Sequence, residues 1–151
     1  MNQKFLIAAF LAAMTGLGSY WVLSTPPVPV AGQATTLVRA PKQGAPIVTG
    51  IRVPMSLTAP QQMGERAFNA VCAACHGANA GGRQGMGPPF INPIYKPGHH
   101  GDYAFEMAVK NGVPAHHWTF GNMPPQSGLT RADVLNIVAY VRALQRANGI
   151  E

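Results

Sequence analysis

The sequence predicts an all-α fold: a small, loop-rich helical domain behind one N-terminal transmembrane helix. Three observations predict it. Residues 5–23, FLIAAFLAAMTGLGSYWVL, are 19 consecutive positions without a charge. Three later segments carry helix start or stop signals, two of them around apolar residues at helical spacing, and the stretches between them are rich in Gly and Pro.

The apolar run is long enough to cross a bilayer, which takes roughly 20 such residues. Lys4 precedes it, and Tyr20 and Trp21 stand near its far end, where interfacial aromatics belong. With Lys4 held inside, everything after Leu23 is exported. A cleaved signal peptide is the alternative, with an apolar region of about 7–15 residues and a small-x-small site close behind. Here Ser24-Thr25-Pro26-Pro27 follows, and the cleavable Gly32-Gln33-Ala34 lies far downstream. We therefore expect residues 1–23 to be an anchor in contact with the lipid bilayer through residues 5–23. The chain is then a single-pass protein of the cytoplasmic membrane, with its folded domain in the periplasm.

Residues 24–57 change character. Pro26, Pro27, Pro29, Pro41, Pro46 and Pro54 break any helix, and no acidic residue occurs. This segment reads as a semi-rigid linker. It also carries Arg39, Lys42 and Arg52, whereas residues 58–151 hold seven Lys or Arg against five Asp or Glu. The formal charge of +6 thus belongs mainly to tail and tether. A basic stripe with interleaved aromatics is missing, which excludes a nucleic-acid partner, and there is no internal repeat.

The folded domain is residues 58–151. Thr58-Ala59-Pro60-Gln61 reads as a capping box with Pro in the first turn, and Gly64, Phe68, Val71 and Cys75 follow on one expected helix face. A second helix is expected from Asp102 to Asn111, closed by Gly112. Thr130 caps the third, in which Val134, Ile137, Val138, Val141 and Leu144 form an apolar stripe.

Three short helices bury too little surface to offset chain entropy comfortably, so a domain of this size needs a staple. Both cysteines of the chain fall within C72-A-A-C-H-G77. A disulfide between Cys72 and Cys75 closes a tiny loop and stabilises little. A redox dithiol belongs in a βαβ unit, and no such pattern surrounds it. Zinc needs four ligands, and His99, His100, His116 and His117 are the available complement. Covalent haem fits best. Two thiols one helical turn apart can join the two vinyl groups of one porphyrin edge, which places His76 as proximal iron ligand.

The sixth iron position then needs a residue far along the chain on a stiff loop. Met123, in Gly121-Asn122-Met123-Pro124-Pro125, meets that description, and a thioether favours Fe(II). Met86 is a weaker competitor. Met55, Met63 and Met107 read as core fillers.

Residues 58–148 resemble a class I monohaem cytochrome c domain, with membrane-anchored bacterial members the nearest likeness. In that family a helix with Gly and an aromatic precedes C-x-x-C-H, as Gly64 and Phe68 do here, and it crosses a C-terminal helix whose aromatic matches Tyr140. The resemblance also implies that Gly87-Pro88 supplies the carbonyl, that of Pro88, which orients His76. The methionine loop corresponds to Met123-Pro124-Pro125. The implied fold is the cytochrome c fold, with crossing terminal helices and one haem c in a loop-rich core. The implied activity is one-electron transfer without substrate chemistry, between redox protein donors and acceptors of a respiratory or photosynthetic chain. Trp118 and Tyr103 are expected to pack on the haem or meet its propionates.

The remaining histidines form two pairs, His99-His100 and His116-His117. Neighbouring side chains diverge, so each pair can give one ligand to a second metal, Cu(II) or Zn(II), with Asp102 or Glu106 as a third. The plainer expectation is that these imidazoles serve haem propionates and loop carbonyls. A haem sensor or peroxidase-like protein with a labile sixth ligand is the alternative function, because a distal histidine is what peroxide chemistry recruits.

Overall fold

The computed structural model describes residues 40–151. The expected anchor at residues 5–23 and its cleavable alternative lie outside the described residues. Among the described residues no helix is long and apolar enough to cross a membrane.

Four α-helices build the domain: α1 (Ala59–Ala67), α2 (Ala73–His76), α3 (Asp102–Asn111) and α4 (Arg131–Ala147). Short 3₁₀ turns at Ala78–Ala80 and Pro93–Tyr95 shape the loops, and no strand forms among the described residues. The caps act as expected. The Thr58 amide donates to Gln61 Oε1 at 2.9 Å, and Thr130 and Asp133 close a reciprocal box at the start of α4. Gly112 ends α3 with φ of 73°, a conformation that costs a residue with a Cβ.

The core forms where α1 crosses α4. Gly64 makes that crossing possible: a Cβ there would stand 1.8 Å from the Asn136 carbonyl oxygen. Phe68 and Tyr140 are wholly buried and tilted against each other, with ring centroids 5.7 Å apart. Val134, Ile137, Val138, Val141 and Leu144 are all buried, so the α4 stripe faces inward. Each fully buried side chain of this size contributes about 1.5–3 kcal/mol.

Two expectations need correction. Gly64 and Phe68 are buried, but Val71 and Cys75 lie at the surface. Residues Phe68–Cys72 form a π-turn in which the Ala73 amide returns to the Phe68 carbonyl, five residues back. The extra residue per turn rotates everything after Phe68 off the α1 face. Met55 and Met63 are also no core fillers, being 106% and 45% exposed.

The last part of the segment expected as linker, residues 40–57, is among the described residues. Residues 44–52 form a strap docked on the domain. Gly44 and Gln84 exchange backbone bonds with the strap and loop, Gly44 N to Gln84 O and Gln84 N to Ala45 O, both 2.8 Å. Val48 N donates to Gly81 O at 2.9 Å, and Asn148 clasps both backbone groups of Arg52. The reason is steric. Gly81 presents bare backbone, and a Cβ there would meet Ile51 Cδ1 at 2.7 Å and Val48 O at 2.8 Å. A proline-punctuated extended chain keeps its remaining amides free for such pairing.

Candidate functional site

The π-turn leads directly into α2, so Cys72 stands one helical turn before the adjacent Cys75 and His76. Cys72 is half-buried, Cys75 is exposed, and the two are not joined to each other. Burial, and secondarily the Cys75 sulfur, push the Cys72 thiol up to about 11. Redox-active dithiols show lowered values instead. Cys72 therefore stays a protonated thiol at neutral pH.

His76 is 8% exposed. Its Nδ1 donates to the Pro88 carbonyl oxygen at 3.0 Å, which leaves Nε2 with a free lone pair. Burial pushes its pKa below the ordinary histidine value, and the Pro88 hydrogen bond partly offsets this. Gly87 brings the carbonyl within reach: a Cβ at that position would stand 2.7 Å from the Cys75 carbonyl oxygen. Phe90 then stacks on the His76 ring, with centroids 4.3 Å apart and planes 24° from parallel. A buried imidazole held by its neighbours on one nitrogen and free on the other fits an iron ligand. The two unpaired thiols beside it fit thioether attachment. These residues suit a c-type haem.

Met123 is half-buried on the loop between α3 and α4. Its backbone exchanges two hydrogen bonds with Val113, each 2.9 Å, and Pro124 and Pro125 follow. Gly112 packs against the same loop, where a Cβ would approach the Met123 carbonyl oxygen to 2.5 Å. This is a stiffly held methionine. Met86 is 38% exposed beside the strap, under Gly44.

Trp118 donates its indole N–H to the Tyr95 hydroxyl at 3.1 Å and stacks on Phe120. Tyr103 is 67% exposed on the outer side of α3. The two histidine pairs converge on each other, and the group includes neither cysteine, so a shared zinc site with the C-x-x-C pair is not assembled. Nor do the acids join them. Asp102 accepts from Arg142 Nε at 2.8 Å, and Glu106 accepts from Arg131 Nε at 2.7 Å.

Sequence reasoning missed four residues that organise this region. Arg142 and Gln145 are buried on α4. Arg142 donates to Asp102, to the Tyr95 carbonyl at 2.7 Å, to Gln145 Oε1 at 2.6 Å and to the His100 carbonyl. Gln145 donates to the carbonyls of Phe90 and Tyr95. Their positions four residues after Val138 and Val141 placed them on the apolar stripe, which was the available signal. Phe90 and Tyr95 continue a file of rings from His76, with centroid steps of 4.3 Å to Phe90, 5.2 Å to Tyr95 and 5.0 Å to His100.

A family model described as Cytochrome c matches residues 61–145, more than half of the 151-residue chain. No curated protein matches it, and no solved structure does.

Proposed function

The chain belongs to the cytochrome c family, and on that premise we propose that it is a one-electron carrier with His76 and Met123 as the axial ligands of its haem. Members of the family bind covalent c-type haem, and Cys72, Cys75 and His76 fit a single one. When bound, the haem supplies a one-electron Fe(III)/Fe(II) couple. The chain's residues do the rest. Cys72 and Cys75 would hold the group, and Pro88 and Phe90 fix the plane of His76. The loop pinned by Val113, Pro124 and Pro125 holds Met123, and a stiff ligand set keeps reorganisation small on electron transfer.

The observation that carries this reading is the His76 ring, buried, committed at Nδ1 to Pro88 and free at Nε2 beside two unpaired thiols. The class I monohaem assignment is part of the same proposal. So is the setting: an anchor at residues 5–23, the domain in the periplasm, and redox proteins of a respiratory or photosynthetic chain as donors and acceptors. A tether would hold the domain near them at high effective concentration.

Spectroelectrochemical titration of the haem-loaded full chain tests the carrier reading. We expect one reversible Nernstian wave with n of 1 and no turnover of peroxide. Peroxide turnover at the haem would overturn the reading in favour of an enzyme with a labile sixth ligand.

A further inference from the structure

His99, His100 and His117 each offer a ring nitrogen such that all three atoms lie within 4.8 Å of one another. His116 stands beside them, its ring centroid 4.2 Å from that of His117. They come from the two loops that flank α3, and each loop is braced. The amides of His99 and His100 both donate to the Lys96 carbonyl, at 3.0 and 2.8 Å. The His100 carbonyl is held by the buried Arg142 guanidinium. On the other loop, Ala115 N donates to Asn122 Oδ1 at 2.9 Å.

Two of the rings are also oriented. His100 Nδ1 donates to the Ile94 carbonyl oxygen at 2.7 Å, and His116 Nδ1 donates to the Pro114 carbonyl oxygen at 2.8 Å. Each leaves Nε2 free, as metal-binding histidines do when a carbonyl holds the other nitrogen. The acids that would turn a histidine cluster into an ion-pair network are engaged elsewhere, Asp102 by Arg142 and Glu106 by Arg131. Gathering four imidazoles without a carboxylate is unfavourable if they are protonated and favourable if they share a cation.

We propose that His99, His100 and His117, with His116 at their side, form a copper-binding site separate from the haem iron. The donor set is all nitrogen, with neither thiolate nor carboxylate in the cluster. For such a set the divalent first-row ions rank with Cu(II) highest and Zn(II) below it. The cluster lies at the protein surface, so water can complete the coordination. The site does not depend on the haem ligation proposed above.

The test uses the haem-loaded full chain, purified without a histidine tag. Equilibrium dialysis against Cu(II) with metal analysis should give one copper per haem iron, and electron paramagnetic resonance should show nitrogen hyperfine structure on the copper signal. Changes to groups that only orient a ligand cost roughly 10–100-fold in affinity. The double variant His99→Ala/His117→Ala removes two ligands and should weaken binding by more than ~100-fold, with its haem absorption spectrum unchanged as proof of folding. Equal copper affinity in the double variant overturns the site. So does tighter binding of Zn(II) than of Cu(II) in competition, since it removes the copper assignment.

Discussion

The Pro88 carbonyl oxygen stands 3.0 Å from Nδ1 of His76, and it reaches that position because Gly87 lies flat against the Cys75 carbonyl. Gly87→Ala places a Cβ 2.7 Å from that oxygen and must displace the Pro88 carbonyl. In its proposed role as iron ligand, the His76 ring then loses the hydrogen bond that would make it a stronger donor. A weaker donor favours Fe(II). We expect the reduction potential to rise on the order of 60 mV, the equivalent of a tenfold shift in a one-electron equilibrium. An unchanged potential in a fully loaded variant would remove Pro88 from the account.

Gly64→Ala is expected to be the most damaging single-methyl change in the domain. Alanine normally improves a helix interior by about 1 kcal/mol over glycine. Here the methyl would enter the backbone of α4 at Asn136, 1.8 Å from a carbonyl oxygen that has no rotamer to escape into. Overpacking typically costs 1–3 kcal/mol, and a backbone obstacle puts this case at or beyond about 3 kcal/mol. Urea denaturation of the haem-loaded protein measures it, and a stability equal to wild type would contradict the helix crossing.

Arg142 and Asp102 form an ion pair whose two halves should behave very differently. The Arg142 side chain is 8% exposed and that of Asp102 61%. Removing the arginine strands the His100 carbonyl and Gln145 Oε1, and leaves the Tyr95 carbonyl with Gln145 as its one remaining partner. Arg142→Met should cost about 3 kcal/mol or more. Asp102→Asn removes only a solvent-screened contact and should cost less than about 1 kcal/mol. Equal losses in the two variants, measured by the same denaturation, would show that the carbonyl network carries little.

Much of the helical frame was legible because its signals are local. Thr130 with Asp133, and Gly112 after Asn111, mark helix ends by residue type alone, and the α4 stripe needs only a spacing of three and four. The strap was not legible. Its bonds join backbone atoms of residues 44–48 to Gly81, Gly82 and Gln84, and backbone pairing leaves no side-chain pattern to read. The outward turn of Val71 and Cys75 was hidden for a related reason. One extra residue in the π-turn shifts the facing of all that follows, while the spacing of apolar letters stays helical.

At the candidate site, Cys72, Cys75 and His76 were legible from their spacing, and Pro88 from the family resemblance. The two histidine pairs were legible as a possible shared site, but the brace on the first pair was not, because it runs through Arg142, a charged side chain buried on the α4 stripe. Glu106 and Asp102 looked like metal ligands in sequence because each stands near a histidine pair. Their arginine partners lie 25 and 40 positions away.

The most direct measurement is the absorption spectrum of the oxidised, haem-loaded protein in the far red, where sulfur-to-iron(III) charge transfer from an axial methionine absorbs. A weak band is expected in the wild type that disappears in Met123→Ala, with a fall in reduction potential on the order of 0.1 V within the ~0.8 V span that axial ligands command. A wild-type spectrum without the band, or one that persists in Met123→Ala, would contradict Met123 as the sixth ligand and with it the six-coordinate electron carrier.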